Sequence, residues 1–247
     1  MKIALFGYGK MGKMIDEIVS MEKKHTIVSR TNSLNHKSPE SEDLKDADVA
    51  IEFSSPESVL QNTRHCLELN IPLVIGTTGW YDRLSEVKDE CIKKKGSIVY
   101  ASNFSIGMNI FFQINQILAG LMGARPEYEP FITEIHHIEK RDSPSGTAIS
   151  LAKDILKNTS CKTNWINRRN SDNGTKNDNP LDLIILSRRE ENIIGTHSIE
   201  YRSGVDKIEI KHEAFSREGF AKGALYAAEW IKDKKGFYEF NELLQVS

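Results

Sequence analysis

Between Glu134 and Ala148 the sequence reads EIHHIEKRDSPSGTA, which sets two histidines, a lysine and a helix-start signal side by side. Three chemistries could use such a run: metal binding, anion binding and proton transfer. The spacing argues against a metal. His136 and His137 are adjacent, so a regular strand would point them to opposite faces. No H-x-x-x-H, H-E-x-x-H or cysteine partner lies nearby. An anion fits better. Ser143 or Ser145 can cap a helix whose first turn holds Gly146 and Thr147, and N–H groups in a first turn have no partner inside the helix. His137 and Lys140 add positive charge close by. Capping explains the serines, but not the two histidines and the lysine before them. A proton donor completes the set. Hydride addition to C=N or conjugated C=C leaves negative charge that must be protonated, and His136 or Lys140 suits that task. Which of the two gives the proton is not decided by spacing.

A source of hydride is legible at the N-terminus. GYGKMG places Gly7, Gly9 and Gly12, with Tyr8, Lys10 and Met11 between them, after an apolar run and at the start of a helix. Gly7 permits a tight turn, Gly9 lets backbone approach a pyrophosphate, and Gly12 allows close helix–strand packing. The positive helix end then favours the phosphates. The second strand ends Val28-Ser29-Arg30-Thr31, with no carboxylate before Glu40. A carboxylate there would hold an NAD ribose. Arg30 instead suits a 2′-phosphate, with Ser29 and Thr31 as hydroxyl donors, which favours NADPH and leaves NADH as the alternative. Two further loops follow apolar runs: Gly76, Thr77 and Thr78 in GTTGW, and Ala101, Ser102, Asn103 and Phe104 in ASNFS. Their small residues and hydroxyls suit a nicotinamide carboxamide. Phe53-Ser54 is a weaker candidate of the same kind.

These loops need a frame. Apolar runs at 2–6, 25–30, 47–53, 71–76 and 96–102 alternate with helical patterns at 10–22, from Pro56, and at 81–95. Nearly continuous apolar strands separated by helices predict a parallel sheet covered on both faces. The fold class is therefore α/β: an N-terminal Rossmann-like, doubly wound parallel sheet. Beyond it, runs at 130–138, 181–189, 194–201 and 206–215 surround one helix at about 145–157, which predicts a smaller α+β domain with a mixed or antiparallel sheet. A last helix at about 216–232 returns to the first domain. The expected domains are 1–104 completed by 217–247 for the dinucleotide, and 105–216 for substrate and oligomerisation. The polar stretch 32–43 and the turn-rich stretch 167–180 read as loops.

Composition sets outer limits. With 247 residues, 39% hydrophobic and 28% charged, the chain is of ordinary globular type. Its net charge of −2 shows no footprint for nucleic acid or an anionic membrane. Residues 96–124 carry no charge. Asn109, Gln113 and Gln116 recur there at helical spacing, and Ile110, Ile114, Ile117, Leu118 and Leu121 form another face, expected to turn to a core. That pattern is read as a soluble amphipathic helix rather than a membrane span. Three scattered cysteines and the absence of a leader pattern point to a reducing, cytoplasmic setting.

The central run closely resembles the signature of the 4-hydroxy-tetrahydrodipicolinate reductase (dihydrodipicolinate reductase) family of the diaminopimelate route to lysine. GYGKMG, GTTGW, ASNFSIGMN and SREGFAKGAL are similar to that family's other blocks, in its order, over nearly the whole chain. The resemblance implies His136 as proton donor/acceptor and Lys140 as second proton donor. It implies His137, Gly146 and Thr147 as contacts to a small dicarboxylate. It implies Gly7 to Gly12, Gly76 to Thr78 and Ala101 to Phe104 as cofactor contacts, with Arg30 at the 2′-phosphate. It further implies a homotetramer formed through the second domain's sheet. Ser29 departs from the pattern, standing where many members carry an acidic residue for the ribose. Two other readings compete: a different two-domain nicotinamide oxidoreductase, and a dinucleotide-sensing regulator, for which no basic stripe or helix-turn-helix pattern is present.

Overall fold

Strand β1 (Lys2–Phe6) is buried at four of its five positions and sends alternate side chains to two different cores. Ile3 and Leu5 join one, with Ile15, Val19 and Ala224; Ala4 and Phe6 join the other, with Val59, Leu73 and Cys91. A strand apolar on both faces must be covered on both, and the helices divide accordingly. Helices α1 (Lys10–Glu22) and α6 (Glu218–Ile231) cover one face; α2 (Pro56–Glu68) and α3 (Leu84–Lys93) cover the other. The computed structural model describes residues 1–31, 44–169 and 179–244. The expected loop at 32–43 lies outside them.

The first sheet adds β2 (Thr26–Thr31), β3 (Val49–Glu52), β4 (Leu73–Ile75), β5 (Ser97–Tyr100) and β11 (Gly236–Glu239). Its order is β11-β5-β4-β3-β1-β2, every pairing parallel. This is the doubly wound sheet expected, with its switch of direction between β1 and β3. β11 was not expected. A four-residue run has no periodicity of its own, and register with β5 makes it a strand.

The second sheet holds β6 (Glu129–His136), β7 (Asn164–Arg169), β8 (Asp182–Arg189), β9 (Gly195–Arg202) and β10 (Lys207–Ala214), in the order β10-β9-β6-β8-β7. It is mixed: β6 runs parallel to β8 and antiparallel to β9. β7 corrects the expected loop at 167–180. Asn167 to Arg169 pair in parallel with β8, and 170–178 lie outside the described residues. Helix α5 (Gly146–Asn158) buries Ala148, Leu151, Ala152 and Ile155.

Helix α4 (Ile106–Met122) overturns one expectation. Its buried side is Met108, Phe111, Asn115, Ala119 and Met122, while Ile110, Ile114, Ile117 and Leu121 are exposed. Close approach to α5 decides this. A Cβ on Gly123, just past the helix, would lie 1.9 Å from Asn158 O, and Asn115 Nδ2 donates to Leu151 O at 3.2 Å. The side bearing Asn115 and Ala119 faces α5, whatever the hydropathy of the other. Among the described residues no helix is long and apolar enough to cross a membrane.

The chain divides into two compact units, Met1–Asn109 with Glu218–Ser247, and Ile110–Arg217, so the division falls within α4. Close helix packing in the first unit gives a test. A Cβ on Gly223 of α6 would lie 1.7 Å from Phe104 O, whereas on Gly120 of α4 it would find only Asn158 Oδ1 at 3.9 Å. Alanine is favoured over glycine by about 1 kcal/mol in a helix. Urea denaturation should therefore show Gly120→Ala stabilising by roughly 0.5–1 kcal/mol and Gly223→Ala destabilising by about 1–3 kcal/mol. Equal effects at both positions would remove the packing argument.

Candidate active site

In a parallel sheet all carboxyl ends lie at one edge, and the first group of candidate residues gathers there. Gly7 follows β1 with φ of 91°, and a Cβ on it would lie 2.1 Å from Phe53 O, beyond the neighbouring β3. A Cβ on Gly12 would lie 2.2 Å from Gly7 O. These two positions require glycine for packing. Gly9 differs: nothing lies within 4 Å of a Cβ built on it. It caps α1 without a side-chain bond, and the first turn carries no acidic residue. Open space, free first-turn amides and a positive helix end fit a pyrophosphate. Tyr8 and Met11 are half-buried and Lys10 is exposed.

Gly76, Thr77 and Thr78 follow β4. Gly76 packs flat on the Phe53 ring, Thr77 is nearly buried with its carbonyl accepting from Trp80 Nε1 at 2.8 Å, and Thr78 is exposed. After β5, Ala101 and Phe104 are core side chains, so a cofactor role there falls to backbone. Ser102 is exposed, and Asn103 Oδ1 accepts from Ser105 N at 2.8 Å. Arg30 lies near the end of β2. The Thr31 hydroxyl donates to Leu5 O at 3.3 Å and is turned to the sheet, not to a phosphate.

The second group is built from strand register. Along β6, Ile132, Glu134 and His136 alternate onto the buried face. Pairing sets Ile132 between Ile185 and Ile199, and Glu134 between Ser187 and His197. His136 stands opposite Arg189. One face of the sheet thus changes from an aliphatic row to a polar row within two residues. β6 ends at His136, so His137 is released from the alternation and sits half-buried in the following turn. This relieves the conflict of two adjacent histidines serving one site.

Glu134 is the hub. It is fully buried, and Ser145 N (3.0 Å), Ser187 Oγ (2.7 Å) and Arg189 Nη1 and Nη2 (both 3.4 Å) donate to its carboxylate. His136 Nδ1 lies 3.4 Å and His197 Nε2 3.9 Å from Oε2, and the two rings meet edge to face at 5.1 Å. Ser145 caps α5 through Ala148 N, and its hydroxyl lies 3.1 Å from His197 Nε2. Arg189 also donates to Lys140 O (3.3 Å) and Asp142 O (2.6 Å), while Lys140 Nζ grips Asp142 at 2.8 Å. The turn that carries Lys140 is therefore tied to the same guanidinium as Glu134. Gly146, with open space around it, and Thr147 begin the helix beside this network.

Charges follow from these contacts. Burial opposes the charge on Glu134, but bonds from Ser145 and Ser187, helped by His136, hold its carboxyl below the usual range. Burial pushes His136 down to about 4 although Glu134 pulls it up, with Lys140 and Arg189 adding to the fall. Burial and the neighbouring His136 take His197 to about 3. At neutral pH the network is one carboxylate, one guanidinium and two uncharged imidazoles. Glu134, His136 and His197 place one donor atom each within 4.8 Å of one another, a grouping that local spacing did not anticipate. Arg189 already meets the carboxylate charge, so the arrangement suits hydrogen-bonded proton handling better than a cation. Glu134, Ser187, Arg189 and His197 were missed by sequence reasoning. The signal was present: Glu134 in FITEIHHI, Ser187 and Arg189 in LDLIILSRR, and His197 in IGTHSIEY fall in phase with buried aliphatic residues.

Two family models match. One, described as dihydrodipicolinate reductase, N-terminus, covers residues 1–104; the other, described as dihydrodipicolinate reductase, C-terminus, covers 107–244. The chain belongs to the dihydrodipicolinate reductase family. It is 45% identical over 247 residues to the 4-hydroxy-tetrahydrodipicolinate reductase of Christiangramia forsetii, covering 99% of this chain and 98% of that one. It is 35% identical to the same-named protein of Buchnera aphidicola subsp. Schizaphis graminum, over 95% of this chain and 83% of that one. A dipicolinate-bound dihydrodipicolinate reductase from Paenisporosarcina sp. TG-14 shares the fold, with a TM-score of 0.74 at 22% identity, covering 98% of this chain and 99% of that one.

In this family member the buried histidines give a pH test. His136 and His197 fall to about 4 and about 3 when folded, against roughly 6.5 when unfolded. Between those values the unfolded chain binds more protons, so stability is complete above about pH 6.5 and is lost as pH falls toward 4. His197 should account for about 2–3 kcal/mol of loss at pH 4.5. Urea midpoints measured from pH 7.5 to 4.5 should fall less steeply in His197→Gln. The groups facing His197 (His136, Glu134, His212 and Lys140) stay in place. Parallel curves for variant and parent would rule His197 out as the source.

Proposed function

We propose that this chain reduces 4-hydroxy-tetrahydrodipicolinate to tetrahydrodipicolinate with a reduced pyridine nucleotide. The observation that carries the reading is the joining of His136 and Lys140 through Glu134 and Arg189, beside the open start of α5. The cofactor, held by Gly7 to Gly12 and the loops at 76–78 and 101–104, supplies hydride when bound. The first-turn amides of Gly146 and Thr147, with His137, hold a substrate carboxylate. His136 Nδ1 lies 3.4 Å from the Glu134 carboxylate, and Nε2 stands beside Gly195 as the atom offered to substrate. His136 and Lys140, brought together through Glu134 and Arg189, are the two candidate donors of the proton.

NADPH is the proposed preferred donor, with NADH also accepted. Arg30 at the end of β2, and the lack of a carboxylate at Ser29 and Thr31, support this. A homotetramer through the second sheet is also proposed, supported by the exposure of Ile208 on the edge strand β10 and of Phe215 just beyond it.

The test couples the chain to a synthase that makes the substrate from pyruvate and aspartate semialdehyde, and follows NADPH and NADH oxidation separately. Substrate-dependent oxidation is expected with both, faster with NADPH. Lys140→Ala and His136→Ala should each lower kcat by about 100-fold or more, with cofactor binding intact. Absence of oxidation with either cofactor would sink the reductase reading. Retained turnover in both variants would remove these residues as its proton machinery.

A further inference from the structure

The glycine loop and the end of β2 are tied together by a side chain that belongs to neither. Asp16 lies on the buried face of α1, one turn beyond Gly12. Its carboxylate accepts from Arg30 Nε at 2.7 Å and Arg30 Nη2 at 2.8 Å, and the Tyr8 hydroxyl donates to it at 2.5 Å. The Arg30 guanidinium also lies 5.9 Å from the centre of the Tyr8 ring. Asp16 is nearly buried, while 43% of the Arg30 side-chain surface remains open.

A guanidinium presents the same planar edge, with two parallel N–H donors, to a phosphate and to a carboxylate. On Arg30 the Nε–Nη2 edge is already taken by Asp16. A 2′-phosphate must therefore displace Asp16 from that edge or use the outer donors, with a carboxylate charge close behind. The pair as a whole is neutral, so a phosphate gains less from it than from a lone arginine, whereas a ribose hydroxyl is nearly indifferent to that charge.

We propose that Asp16 is a specificity-determining residue of the cofactor site, competing with the 2′-phosphate for Arg30 and narrowing the preference for NADPH over NADH. This rests on the reading of Arg30 as the 2′-phosphate residue. Tyr8 shares the Asp16 carboxylate with Arg30, so the double variant that also lacks Arg30 separates the competition at Arg30 from the loss of the Tyr8 partner.

The experiment measures kcat/KM for NADPH and NADH in the parent, Asp16→Asn, Asp16→Ser, Arg30→Ala and the double variant Asp16→Asn/Arg30→Ala. The NADPH-to-NADH ratio should rise about threefold or more in both Asp16 variants, and the rise should shrink as salt is added. It should be absent when Arg30 is also replaced. Binding of NADP+ and NAD+ by fluorescence titration gives the same ratio for a variant with impaired turnover. An unchanged or lower ratio in both Asp16 variants overturns the proposal, as does a rise that persists without Arg30. If Arg30→Ala alone leaves the parent ratio unchanged, the 2′-phosphate reading itself fails, and the competition with it.

Discussion

An ionised carboxylate with no solvent exposure is the constraint on which the second unit depends. Glu134 stands near the end of β6 on its buried face, where a charge is costly to bury unless it is well hydrogen-bonded. The groups that meet the cost come from two other elements, Ser187 and Arg189 from β8 and Ser145 from the start of α5, with imidazoles from β6 and β9 close by. A strand slip of one residue would turn Glu134 to the other face and leave these partners unpaired. The same bonds that satisfy the carboxylate therefore specify register, helix start and the turn bearing Lys140.

That arrangement links stability to chemistry. Burial keeps His136 uncharged with its Nδ1 3.4 Å from Glu134, and Arg189 restrains the Lys140 turn through two carbonyls. Precise placement of a proton donor is a large part of what a protein contributes to such a reaction. In the first unit the organising device is different. Parallel strands bring their ends to one edge, and glycines at 7 and 12 let backbone pass where a Cβ would collide. There the site rests on close backbone contact, with one side-chain cluster, Tyr8–Asp16–Arg30, joining the loop to β2.

Much of the doubly wound sheet was legible because its strands are apolar at nearly every position and its helices have the matching period. The exceptions share a cause. β11 and β7 are short and lack a pattern of their own, and pairing with β5 and β8 makes them strands. Helix α4 was read with its isoleucine stripe inward, but contact with α5 is closest on the side of Asn115 and Ala119, and that geometry outweighs hydropathy. In the proposed site, local spacing singled out His136, Lys140, Gly146 and Thr147 as candidates, which lie in one short run. Ser187, Arg189 and His197 arrive beside them from β8 and β9, which local spacing does not reach.

By itself the sequence determined the kind of fold, the glycine loop, the helix start and the family, because each is written in local spacing. Tertiary structure alone decided which polar residues share a space. Glu134 and His197 are 63 positions apart in the chain and become neighbours through antiparallel register. Asp16 and Arg30 meet because α1 packs beside β2. The charge on His136, the partner of Arg30 and the anchoring of Lys140 are properties of burial and of contacts across strands, and no linear spacing encodes them.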